Sequence, residues 1–100
     1  MASTITISSS LHDSVWLYEA LGFASENDTI VLIEDAAYGV QSPILLNSFV
    51  AKCQAMNVSV YVLREDIVSR GVEVVNTAIE ILDLPEFVTT IMQSDKHVAW

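Results

Sequence analysis

The chain has 100 residues, enough for one domain spanning 1–100 with a single modest core, and no linker or composition break suggests a second. Its charged fraction of 17% lies below the roughly 25% usual for soluble domains, while 52% of residues are apolar. A small monomer cannot easily hide that surplus, so a partner over part of the surface is expected. Thirteen acidic residues against four basic give a formal charge of −9, and the cations Lys52, Arg64, Arg70 and Lys96 are scattered, which excludes direct binding to a nucleic-acid backbone.

The opening MASTITISSS has neither the basic start nor the apolar run of a secretory leader, so none is expected. No apolar run approaches the roughly 18 residues of a membrane span. A lone cysteine allows no internal disulfide and suits a reducing compartment, so the expected location is the cytoplasm.

TITIS (4–8) alternates β-branched residues and predicts the first strand. SVWLYEALGFA (14–24) predicts a helix with Asp13 as its N-cap. TIVLI (29–33) is an apolar run of strand length, as is SVYVL (59–63), and continuous apolar strands belong in sheets covered on both faces. Between them PILLNSFVAKCQAM (43–56) predicts a second helix capped by Ser42. EDIVSRG (65–71) predicts a short helical turn closed by Gly71 in the left-handed region. AIEIL (78–82) reads as a fourth strand and LPEFVTTIMQ (84–93) as a helix begun by Asp83 and Pro85. HVAW (97–100) reads as a fifth strand that would hold Trp100 in place. Strands alternating with helices at these spacings build a mostly parallel sheet.

Cys53 is the one obvious nucleophile. It falls on the helical stripe Leu46, Phe49, Val50, Cys53, Met56, where a cysteine acts as a small hydrophobe, whereas a reactive thiolate needs an electropositive, partly exposed niche. The core reading outweighs a catalytic one. His12 and His97 sit in no metal-ligating pattern, and no metal or cofactor is expected; His12 reads as a solvated loop residue and His97 as a surface residue or interface donor. The hydroxyl-rich loop SSSLHDS (8–14) occupies the place where flavodoxin-like folds hold phosphate, but it lacks glycine and carries Asp13, so capping explains it better. Glu34 and Asp35 follow the second strand at the edge where such sheets bind ligands; they suit a solvated or interface turn better than a magnesium site.

VLIEDAAYGV (31–40), VYVLREDIVSRGV (60–72), EFVTTIM (86–92) and the closing HVAW, in this order, resemble the DsrH/TusB family of sulfur-relay subunits. The resemblance implies a three-layer DsrE-like, flavodoxin-like α/β fold with a five-stranded sheet. It also implies a heterohexamer with DsrE/TusD-like and DsrF/TusC-like subunits, the first of which carries the main sulfur-bearing cysteine. The role it implies is auxiliary, in tRNA wobble-uridine 2-thiolation or in sulfur oxidation and trafficking. Some DsrH members have a cysteine on the first helix where this chain has Ala20; a methyl group cannot hold a persulfide, and the TusB branch, which does without that thiol, is the nearer match. Two rivals remain open: a thiol sulfurtransferase that uses Cys53 directly, and a stand-alone, self-associating ligand-binding or regulatory domain of the same fold.

Overall fold

In a computed structural model, the residues described are 3–8, 22, 24–41, 43–74 and 78–99, with the backbone alone for 41 and 43–46. Five strands, β1 (Ser3–Ile7), β2 (Thr29–Leu32), β3 (Ser59–Leu63), β4 (Glu80–Leu82) and β5 (Lys96–Ala99), form one sheet in the order β4-β3-β2-β1-β5. Every pairing is parallel. A 3-10 helix (Glu34–Gln41) and α1 (Pro43–Ala55) join β2 to β3, α2 (Arg64–Arg70) joins β3 to β4, and α3 (Leu84–Gln93) joins β4 to β5.

Register and strand alternation assign the two faces of the sheet. Ile5, Ile30 and Val60 lie side by side across β1, β2 and β3, with Ile7, Leu32 and Val62 forming the next row. These six join Ala36, Ala37 and Val40 of the 3-10 helix, Phe49, Val50 and Cys53 of α1 and Ile67 of α2 in one buried cluster, with Val98 of β5 packed against it. A large side chain as fully enclosed as Phe49 contributes about 2–3 kcal/mol.

Thr4, Thr6, Val31, Leu63 and Leu82 are buried on the opposite face. The chain steps one way from β1 to β4 and then returns across the sheet to β5, so right-handed crossovers place α3 opposite α1 and α2. The hydroxyls of Thr4 and Ser94 meet there, where α3 gives way to β5. The expected three-layer α/β architecture therefore holds, and the sheet is parallel throughout its described pairings rather than mostly so.

Local chemistry explains the boundaries. Asp83 and Glu86 form a reciprocal capping box at the start of α3, with Pro85 in its first turn. Gly71 closes α2 at φ 63°, where its N–H and that of Val72 bond back to Val68 and Ile67. At the amino edge of the sheet, the turns before β2 and β3 are clamped together. Asn27 and Asn57 both adopt the left-handed conformation that asparagine tolerates, and the Asn57 side chain donates to that of Asn27 at 2.7 Å. Beside them, buried Asp28 accepts from the Ser3 and Ser25 backbone N–H groups, both at 2.8 Å.

Some sequence expectations need correction. The fourth strand begins at Glu80, not at residue 78, and α2 begins at Arg64 without a side-chain cap. Glu34 and Asp35, read as a turn, open a 3-10 helix that runs over Glu34–Gln41. The helix predicted over 14–24 lies, apart from Gly22 and Ala24, outside the described residues, as do His12, Asp13, Ala20, Ser42 and Trp100.

Candidate functional site at the carboxyl edge of the sheet

Because all five strands run the same way, the segments that follow them gather at one edge, the customary ligand edge of open α/β sheets. After β2 the chain turns at Glu34, whose φ of 50° puts a side-chain-bearing residue in the left-handed region. That conformation costs about 1–2 kcal/mol, so the surroundings must hold it. They do so through Asp66 of α2, whose Oδ2 accepts from the Glu34 N–H at 2.7 Å.

Arg70, one turn after Asp66, completes the arrangement. Its guanidinium lies 3.1 Å from Asp66 Oδ1 and 3.4 Å from Asp35 Oδ1, and it covers the Tyr38 ring at 5.8 Å from the centroid. The planar fork of an arginine can serve two carboxylates and a ring at once, which a lysine cannot. Farther along the same edge, Glu65 of α2 accepts from the Leu84 N–H at 3.1 Å and so ties α2 to the start of α3. The sequence stretches IEDAAYGV and REDIVSRG are thereby one physical unit.

The chemistry available here is limited. Asp35 and Asp66 are matched by a guanidinium, and no cluster of three or more metal-ligating side chains occurs among the described residues. Glu34 and Asp35 thus belong to a turn bolted to α2.

Cys53 lies elsewhere. It is fully buried on α1, and its carbonyl accepts from the Val58 N–H just before β3, which places it toward the amino edge of the sheet. Burial pushes its thiol up to about 11, away from thiolate at neutral pH. Phe49 and Val50 share its enclosure and Met56 packs beside it, as the stripe predicts. His97 sits within β5, exposed, with Nε2 at 3.0 Å from the Thr6 hydroxyl. The structure does not bring His97, Cys53 and the Glu34–Asp35 turn together: His97 lies on β5 beside Thr6, Cys53 on the buried side of α1 and the turn at the carboxyl edge.

The Arg70 bridge was missed in the sequence, although the four-residue spacing of Asp66 and Arg70 is a readable helical pair. Its reach to Asp35 has no local signal.

Comparison with known proteins adds an independent line. Residues 9–97 match the family model described as DsrH like protein. The chain is 30% identical over 95 residues to Protein TusB of Shigella flexneri, covering 90% of this chain and 96% of that protein. It is 29% identical over 94 residues to Protein TusB of Escherichia coli strain K12, with the same coverage. Among solved structures, the crystal structure of the ychN protein from E. coli superposes with a TM-score of 0.75 over the whole of both chains at 18% identity, a likeness of fold.

Proposed function

The chain belongs to the DsrH family, and on that premise we propose that it is an auxiliary subunit of a cytoplasmic sulfur-relay heterohexamer. It assembles with DsrE/TusD-like and DsrF/TusC-like subunits and supports persulfide transfer on a partner's cysteine. Similarity to TusB proteins across 96% of their length favours tRNA wobble-uridine 2-thiolation as the pathway served. The family match over residues 9–97 carries the reading.

Two physical features support it. A persulfide carrier must present its sulfur to donor and acceptor, and the sole cysteine is fully buried with its thiol held protonated. That weighs against a sulfurtransferase acting through Cys53. The formal charge of −9 suits a subunit that leaves RNA contact to others. No helix among the described residues is long and apolar enough to cross a membrane.

Co-expression with the DsrE-like and DsrF-like chains of the same organism tests the proposal. The expected product is a discrete complex with two copies of each chain by light scattering. A monodisperse species of this chain alone, indifferent to those partners, would overturn it and favour the stand-alone reading.

A further inference from the structure

We draw no further inference here: the strongest candidate, the exposed apolar stripe of Leu84, Val88 and Met92 along the outer side of α3, carries none because nothing in the structure shows what covers it.

Discussion

Arg70 and Asp35, which stand 35 positions apart in the chain, approach to 3.4 Å, and the same guanidinium holds Asp66 at 3.1 Å. This bridge joins the turn after β2 to the helix after β3. Its two arms are unequal: Asp35 is two-thirds exposed, where an ion pair is worth little, whereas Asp66 is mostly covered and also bonds the Glu34 N–H. Arg70→Ala should therefore cost on the order of 1 kcal/mol, and Asp35→Asn only a few tenths. Arg70→Lys should recover little of the loss, because an ammonium cannot fork between the carboxylates and cover Tyr38. Urea unfolding of the three variants checks the ranking. An Asp35→Asn cost equal to that of Arg70→Ala would contradict it.

The left-handed backbone at Glu34 makes a sharper probe. Glycine at that position relieves about 1–2 kcal/mol of steric cost and adds about 0.5–1 kcal/mol of chain entropy to the unfolded state. Glu34→Gly should leave stability unchanged or raise it by up to about 1.5 kcal/mol. A clear loss in thermal unfolding would mean that the carboxylate itself holds the turn.

Much of this architecture was legible in the residues, and the remainder was not for identifiable reasons. The apolar runs of β2 and β3 and the helix start at Asp83 and Pro85 are local signals, and the structure keeps them. The stripe through Phe49, Val50 and Cys53 likewise predicted burial correctly. The 3-10 helix over 34–41 escaped because Gly39 interrupts the segment and eight residues give little periodicity. The Arg70 bridge and the Asn27 to Asn57 clamp join residues about 30 or more positions apart, and no local pattern encodes such pairs.

Asp28 illustrates the same limit and gives a third prediction. No local pattern in the sequence singles it out, yet it is buried, and its two oxygens tie the first residue of β1 to the turn before β2. Hydrogen bonds to a carboxylate contribute about 1.5–3 kcal/mol each. Asp28→Ala should lose at least 2 kcal/mol and shorten hydrogen-exchange protection at Ser3 and Ser25. Protection unchanged at both amides would contradict the assignment.

The raised Cys53 thiol sets a pH signature. Its folded value of about 11 stands above an unfolded value of 9.0, so the unfolded chain releases the proton first. The contribution is fully present below pH 9 and is lost as pH rises from 9 toward 11. Stability of the wild type should fall through that window by on the order of 2 kcal/mol more than that of Cys53→Ala. That variant should in turn cost about 1 kcal/mol at neutral pH for a small core truncation. Parallel pH profiles for the two proteins would contradict the burial account.

The central claim, that this chain supports sulfur transfer without carrying the sulfur, is tested most directly by the rate of labelled persulfide transfer through the reconstituted complex containing Cys53→Ala. The account predicts a rate within about twofold of wild type wherever the complex assembles, because the buried thiol lies outside the relay. Loss of transfer in a folded, fully assembled Cys53→Ala complex would contradict it and make Cys53 a carrier.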